Sequence, residues 1–322
     1  MTDVIGIPRA LLAYRFGSLW QRFFEELGCK VVFSAPTDRA MLEEGAALSV
    51  DECCLASKIF MGHVAALQGH CDYVFVPSVE GEGRRRGYCT KFASLPDLVA
   101  STFCSAMGRP QIPLLSLRID AAHPEKEAFI ELGQRLGASK KEAAHAYKRA
   151  REAWESERSA RARSFDEQLR AALDARKEGG SARPLILFCA HPYVSPDPFL
   201  GMQALEMLER CGAQVLLAQD FNPKKALDAS DTFSATMPWV VNRELTGAIA
   251  CLRDKVDGVV IMSAFPCGPD SMTNEALTQR LGGVPSLLLT VDAQTGTAGL
   301  ETRIESFVDI LTFQSRGGYL HA

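Results

Sequence analysis

Short apolar runs that read as buried strands alternate with amphipathic, helix-period stretches over most of this 322-residue chain. The first such run is Val4 to Ile7 and the last is Ser286 to Val291. Two neighbouring parallel strands need a crossover between them, and a helix is the usual crossover. The alternation therefore predicts an α/β fold built on parallel, doubly wound sheets.

One segment interrupts this alternation. From Glu125 to about Lys177 the chain is rich in Ala, Glu, Lys and Arg, which predicts two long helices. A break is expected near Ser139, because Ser139 followed by Glu142 fits a capping box. We therefore predict an N-terminal α/β domain at 1–122, a helical connector at 123–182 and a C-terminal α/β domain at 183–322.

Composition excludes several classes of protein. The chain is 47% apolar and 23% charged, as in an ordinary soluble globular protein. Its formal charge is −4, so nothing in the charge balance predicts binding to nucleic acid or to an anionic membrane. No stretch approaches the roughly 20 apolar residues of a membrane span, and the first residues lack a signal-peptide pattern. A cytoplasmic location with no membrane partner is predicted.

The ten cysteines need an explanation in such a protein. A reducing cytoplasm argues against disulfides, which leaves packing, metal binding or redox chemistry. The chain has no C-x2-C pair of the zinc-site type and no tight cysteine run of the small-ferredoxin type. Their positions relative to the predicted elements predict that seven cysteines are small packed side chains: Cys29, Cys53, Cys71, Cys104, Cys189, Cys211 and Cys251. Two alternatives stay open: Cys53 can replace its neighbour Cys54 as a ligand, and Cys189 can face the cleft between the domains.

The remaining three cysteines stand at chemically active places. Cys267 follows a buried strand, and Cys89 lies beyond the end of another, at the strand ends where open α/β sheets place ligands. Cys54 stands at a predicted helix start, whose partial positive charge favours a thiolate. If the strand-end edges of the two domains face one another, the three thiolates meet in a metal cluster between them. The alternative interpretation is three unrelated loop cysteines.

The segments around these cysteines resemble a known family. They resemble a domain of the large CoA-substrate-specific enzyme activases, which belongs with the 2-hydroxyacyl-CoA dehydratase and benzoyl-CoA reductase subunits. The matching segments are Ile5 to Leu11, Phe23 to Gly28, Val50 to Lys58, Tyr88 to Phe92, His191 to Tyr193, Cys267 to Met272 and Gly299 to Glu305. There are two departures: Ala56 stands where the family usually has proline after the cysteine and its hydrophobic neighbour, and the usual proline after the second cysteine, Cys89, is also missing.

The resemblance implies two flavodoxin-like domains and a [4Fe-4S] cluster on Cys54, Cys89 and Cys267, with a non-cysteine fourth position. It also implies low-potential electron transfer and association in pairs, as a homodimer or a heterodimer. The chain has no phosphate-binding glycine loop of its own, because Gly81-x-Gly83 is too short a pattern. ATP hydrolysis is therefore expected in a partner, an ATP-dependent reductase or activator protein.

Four further residues are predicted to contact the cofactor, each with a plainer alternative. Lys58 lies one turn after Cys54, where it offsets the negative charge of a cluster or stays solvated. His63 orients the site or is a structural histidine. His191 and Tyr193 follow a strand and line the cleft, with His191 as a proton shuttle or as a stiffener of its loop.

Three functional hypotheses follow. The leading one is an iron–sulfur protein for low-potential electron transfer coupled to a partner ATPase. The second is the catalytic subunit of a radical acyl-CoA dehydratase or reductase, with Arg84 to Arg86 either on a CoA phosphate or simply solvated. The third is a non-enzymatic metal-binding assembly module whose cysteines hold zinc or nothing. A hydrolase is excluded because Asp270 and Ser271 lie outside any G-x-S-x-G pattern.

Overall fold

The structure is a computed structural model that describes residues 3–81, 87–177, 183–294 and 297–315. The chain forms two compact units. Unit 1 comprises 1–157 with 238–240, and unit 2 comprises 158–237 with 241–322. The division falls inside the predicted connector, whose limits at 123 and 182 stay predictions. The basic triplet at 84–86 and the Gly-Gly-Ser at 179–181 lie outside the described residues.

Unit 1 contains a parallel sheet of four strands. Its strands, with two short ones beside them, are β1 Val4–Ile7, β2 Lys30–Phe33, β3 Tyr73–Phe75, β4 Ser78–Val79, β5 Leu114–Leu115 and β6 Arg118–Ile119. The sheet has the order β2-β1-β3-β5, and β4 pairs with β6 in a separate parallel ladder. The single strand predicted from Ile112 to Arg118 is therefore wrong. The run divides into β5 and β6, although the Val76 N–H still donates to the Leu115 carbonyl at 2.9 Å and the Ser78 N–H to the Leu117 carbonyl at 2.8 Å.

The helices of unit 1 surround this sheet. They are α1 Ala13–Glu26, α2 Arg39–Ala47, α3 Leu55–Ala66, α4 Thr90–Thr102, α5 Glu125–Arg135 and the first part of α6 Lys140–Lys177. The prediction that Pro8 opens α1 is wrong, because Leu11 has a φ of 50° and a left-handed residue interrupts helical geometry. The predicted start of α4 at Leu95 is also wrong. Pro96 lies in the interior of the helix, where it forfeits one backbone hydrogen bond.

Unit 2 contains a second parallel sheet of four strands. Its strands are β7 Leu185–Ala190, β8 Gln214–Leu217, β9 Gly258–Ala264 and β10 Ser286–Val291, in the order β10-β9-β7-β8. Its helices are α7 Met202–Arg210, α8 Pro223–Ser230, α9 Val240–Leu252, α10 Gly268–Thr278 and α11 Thr297–Ser315. Sequence patterning did not predict α8, and it placed the starts of α9 and α10 at Leu245 and Met272, too late in both cases.

The two sheets share one strand order. Counted within each unit, the order is second, first, third, fourth, which is the flavodoxin-like pattern. The α/β prediction is confirmed. In this topology the chain leaves the first strand in one direction and the third in the other, so a crevice opens at their carboxyl ends. That crevice lies between β1 and β3 in unit 1 and between β7 and β9 in unit 2.

The predicted break in the connector is confirmed in detail. The Glu142 carboxylate accepts from the Ser139 N–H at 2.8 Å, and the Glu142 N–H donates to the Ser139 hydroxyl at 3.2 Å. This reciprocal capping box starts α6. Further along, the Trp154 indole donates to the Arg15 carbonyl at 2.8 Å and fixes α6 beside α1. Of the described helices, none is long and apolar enough to cross a lipid bilayer.

Candidate functional site

The three cysteines singled out by sequence share one structural position. Cys54 is the N-cap of α3, Cys89 is the N-cap of α4, and Cys267 is the N-cap of α10. None of the three uses its side chain to cap the helix, and each thiol is half-buried. Helices of a parallel sheet begin at its carboxyl edge, so each cysteine lies at that edge of its own unit. The positive end of a helix dipole favours the thiolate over the thiol.

In unit 1 the structure brings Cys54 and Cys89 together. Burial raises the pKa of the Cys54 thiol, and the neighbouring thiols of Cys89 and Cys53 raise it further. Lys91, in the first turn of α4, and the backbone N–H of Ser57 oppose this rise. Lys91 therefore acts on Cys54 as the cation that the sequence had suggested in Lys58. Its signal, a lysine two residues after Cys89, was present but was not used.

The predicted contact residue Lys58 lies one turn into α3, as expected. Its backbone N–H donates to the Cys54 carbonyl at 3.1 Å, and its side chain is half-buried. The role of this side chain toward a cofactor stays a prediction.

His63 is fully enclosed within unit 1. Its Nδ1 lies 2.8 Å from the Ser34 hydroxyl and its Nε2 lies 2.9 Å from the Thr37 hydroxyl, so both ring nitrogens have partners. Burial lowers the pKa of His63 to about 4, and the charge of Arg9 lowers it too, although Asp38 opposes them. A neutral ring with both nitrogens occupied favours the structural interpretation of this histidine.

In unit 2 a buried polar cluster lies at the crevice between β7 and β9. Its centre is the Asp270 carboxylate in the first turn of α10. Asn242, from α9, donates to Asp270 Oδ1 at 2.9 Å, and His191 Nε2 lies 2.9 Å from the same oxygen. The His191 contact joins two buried side chains. The Cys267 thiol also donates to the carboxylate.

These contacts decide the charge of Asp270. Burial alone would raise the pKa of this carboxyl group. The His191 ring and the hydrogen bonds from Asn242 and Cys267 outweigh burial and lower the pKa overall. The sequence contained Asp270 beside Cys267, but it offered no signal that Asn242 would reach it.

The predicted pair His191 and Tyr193 lies in this cluster. The two rings meet edge to face with their centroids 5.0 Å apart, and the Tyr193 hydroxyl is hydrogen bonded to His191 Nδ1. Both side chains are buried. The structure therefore brings three of the predicted residues together, with Asp270 linking His191 to Cys267.

The seven other cysteines follow the packing prediction only in part. Cys53 and Cys189 are buried, and burial raises the pKa of the Cys189 thiol strongly. The remaining five are half-buried, so their prediction as buried side chains is wrong in degree: Cys29, Cys71, Cys104, Cys211 and Cys251. They lie at the ends or outer faces of elements, where a small side chain reaches both core and solvent.

The distances between candidate ligands do not by themselves identify a metal site in the described residues. Among residues 3–81, 87–177, 183–294 and 297–315, no three side chains of His, Cys, Asp or Glu lie close enough together to hold a metal ion. The ligand set Cys54, Cys89 and Cys267 therefore stays a prediction.

The protein is a flavodoxin-like α/β protein, because it has two parallel sheets with the same strand order and with helices packed beside them. In each unit, a cysteine stands at the start of a helix on the carboxyl edge of the sheet. Residues 4–220 match the family described as the CoA enzyme activase uncharacterised domain (DUF2229), and the chain belongs to this family. The match covers more than half of the sequence. It confirms the activase-related part of the resemblance drawn from the cysteine segments.

Other comparisons add little. None of the curated proteins matches this chain. Among solved structures, the C-terminal domain of glucosamine-fructose-6-phosphate aminotransferase from Francisella tularensis is 10% identical over 97% of this chain and 85% of that one, with a TM-score of 0.26. A mutant, Mn-bound periplasmic metal binding protein from Candidatus Liberibacter asiaticus is 12% identical over 96% and 100%, with a TM-score of 0.25. Likeness at this level supports no conclusion about this chain.

Proposed function

We propose that this protein is an iron–sulfur electron carrier of the activase type, with Cys54, Cys89 and Cys267 as the ligands of a [4Fe-4S] cluster. The observation that carries the proposal is the common placement of these three cysteines at helix N-caps. When bound, such a cluster supplies one-electron transfer at low potential.

The donor set fits this group. Cluster ligation needs thiolates, and the partial positive charge of a helix N-terminus, together with Lys91, opposes the burial that raises the pKa of the Cys54 thiol. The three thiols are half-buried, so they are reachable, whereas Cys53 and Cys189 are enclosed. In unit 1, Cys54 and Cys89 already influence each other electrostatically, as two ligands of one centre would.

The chain's own residues have distinct roles in this proposal. Lys91 offsets negative charge beside Cys54, and Asp270 accepts the hydrogen bond of the Cys267 thiol. Asn242 and His191 hold that carboxylate in place. Apolar side chains around the cysteines exclude water: Leu55, Phe92 and Ala264 are all buried.

The partner in this proposal is an ATP-dependent reductase that donates electrons. The family description supports work with CoA enzymes, and the chain contains no phosphate-binding glycine loop with which to hydrolyse ATP itself. Acyl-CoA chemistry then belongs to the enzyme that receives the electrons.

The test is metal analysis of the anaerobically purified protein, together with its electron paramagnetic resonance (EPR) spectrum. The proposal expects iron and acid-labile sulfide in roughly equal amounts, and a paramagnetic signal after one-electron reduction. Zinc in place of iron, or no metal after anaerobic reconstitution with iron and sulfide, would instead support an assembly module. A spectrum shifted by an added acyl-CoA would support the catalytic-subunit alternative.

A further inference from the structure

Hydrogen bonds within the protein hold both the backbone and the side chain of Cys267. Its backbone N–H donates to the Ala264 carbonyl at 2.9 Å, which closes the turn after β9. Its carbonyl accepts from the N–H of Ser271 at 2.9 Å and from the Ser271 hydroxyl at 2.8 Å. Its thiol donates to Asp270. Every polar group of this cysteine therefore has a protein partner.

Asp270 is held more tightly than an ordinary residue of a first helical turn. The residue is 4% exposed and its Oδ1 meets Asn242 and His191, each at 2.9 Å. Asn242 is itself fixed by a second hydrogen bond, to the Thr273 hydroxyl at 3.0 Å. Three parts of unit 2, namely the β7 loop, α9 and α10, thus converge on one carboxylate.

Burying a polar network of this kind costs free energy of desolvation, which its hydrogen bonds offset only in one arrangement of the groups. A buried carboxylate without partners is strongly unfavourable, and a fully satisfied network fixes one arrangement of the groups around it. Here the group that gains a fixed position is the Cys267 thiol. A ligand already held in place loses less conformational entropy when a metal binds, and the thiol proton leaves to solvent as the sulfur–metal bond replaces the S–H bond.

We infer that Asp270 is a positioning residue, whose carboxylate, fixed between Asn242 and His191, builds the Cys267 loop before any metal arrives. The role toward iron rests on the proposed function, whereas the existence of the preformed loop does not. The substitution that removes the carboxylate is Asp270→Ala. Its matched control is Thr278→Val, which removes a hydroxyl from the end of the same helix, bonded only to the Glu275 carbonyl at 2.8 Å, and leaves Asp270 and Asn242 in place.

The test has two readouts. The first is hydrogen–deuterium exchange in the metal-free full chain, at the Cys267 and Ser271 amides. The wild-type protein should protect both amides, and Asp270→Ala should speed their exchange about tenfold or more. Thr278→Val should leave both amides protected. The second readout is iron bound after anaerobic reconstitution, which should fall severalfold in Asp270→Ala and stay near wild type in Thr278→Val.

The outcomes separate this inference from the proposed function. Wild-type amides that exchange freely without metal would overturn it, as would an Asp270→Ala protein with unchanged exchange and iron. If Asp270→Ala does not fold, Asp270→Asn takes its place, because it keeps the shape and weakens the charge-assisted contact. An Asp270→Asn protein identical to wild type in both readouts would then overturn the inference. A wild-type chain that never binds iron, but whose loop depends on Asp270, would refute the proposed function and leave the preformed loop standing.

Discussion

The imidazole of His63 lies 2.8 Å from the hydroxyl of Ser34 and joins the helix that begins at Cys54 to the end of β2. Because the ring is buried and neutral, the structure predicts a loss of stability in acid. An unfolded histidine binds its proton near pH 6.5, whereas His63 in the folded protein does so at about pH 4. Between these values the unfolded state holds more protons, so the stabilisation is complete above pH 6.5 and is lost as the pH falls.

The free energy of unfolding should fall by about 3 kcal/mol in total as the pH is lowered, and by no more than about 1.4 kcal/mol per pH unit. Urea unfolding of wild type and His63→Gln from pH 4.5 to 7.5 measures it, and the difference between the two proteins should shrink toward low pH. His70→Gln, at an exposed position, is the control. Parallel pH profiles for wild type and His63→Gln would show that His63 is not buried in its neutral form.

The close crossing of α2 and α3 depends on two glycines. A Cβ at Gly45 would stand 1.9 Å from the Lys58 carbonyl oxygen, and one at Gly62 would stand 1.9 Å from that of Met41. Because backbone and not a flexible side chain blocks the space, Gly45→Ala or Gly62→Ala should cost about 2 kcal/mol or more. Urea unfolding provides the measurement.

Gly299→Ala in α11 is the matched control for this crossing. Nothing lies within 4 Å of its added methyl group, so helix propensity should make the change neutral or stabilising by up to ~1 kcal/mol. Equal stability losses at all three glycines would contradict the tight crossing.

The capping box at the start of α6 gives a third prediction. Ser139→Ala removes the hydroxyl that accepts from the Glu142 N–H, and it should destabilise the protein by about 1 kcal/mol. Ser159→Ala, at an exposed position inside the same helix, should change stability by less than about 0.5 kcal/mol. Chemical denaturation of both variants decides whether the break at Ser139 stabilises the helix. A loss as large at Ser159 as at Ser139 would mean that it does not.

Much of this fold can be predicted from the sequence, because the spacing of apolar residues indicates strands and helices locally. The alternation predicts both parallel sheets, and Ser139 with Glu142 predicts the start of α6. The misplaced starts of α4 and α10 have a common cause. In each helix a proline stands within the first two turns, at Pro96 and at Pro269, and the residue before a proline disfavours helical geometry; Pro269 was interpreted as stiffening a turn.

The candidate site is less predictable, because its contacts are made by residues that are remote in sequence. Cys54, Cys89 and Cys267 were found by their positions relative to strands. Their common placement at N-caps appeared only with the corrected helix starts. Asn242 precedes Asp270 by 28 residues in a stretch without clear periodicity, so only the folded chain shows that its amide holds the carboxylate.

The measurement that tests the central claim most directly is the iron and sulfide content of four variants, each with one cysteine replaced by alanine and each purified anaerobically beside the wild type. Cys54→Ala, Cys89→Ala and Cys267→Ala should each lose most of the bound iron, because each removes one ligand. Cys104→Ala, at a half-buried cysteine in unit 1 that donates to the Ser101 carbonyl at 3.2 Å, should keep the wild-type amount. An iron-free wild type, or full iron in any of the three ligand variants, would contradict the proposed cluster.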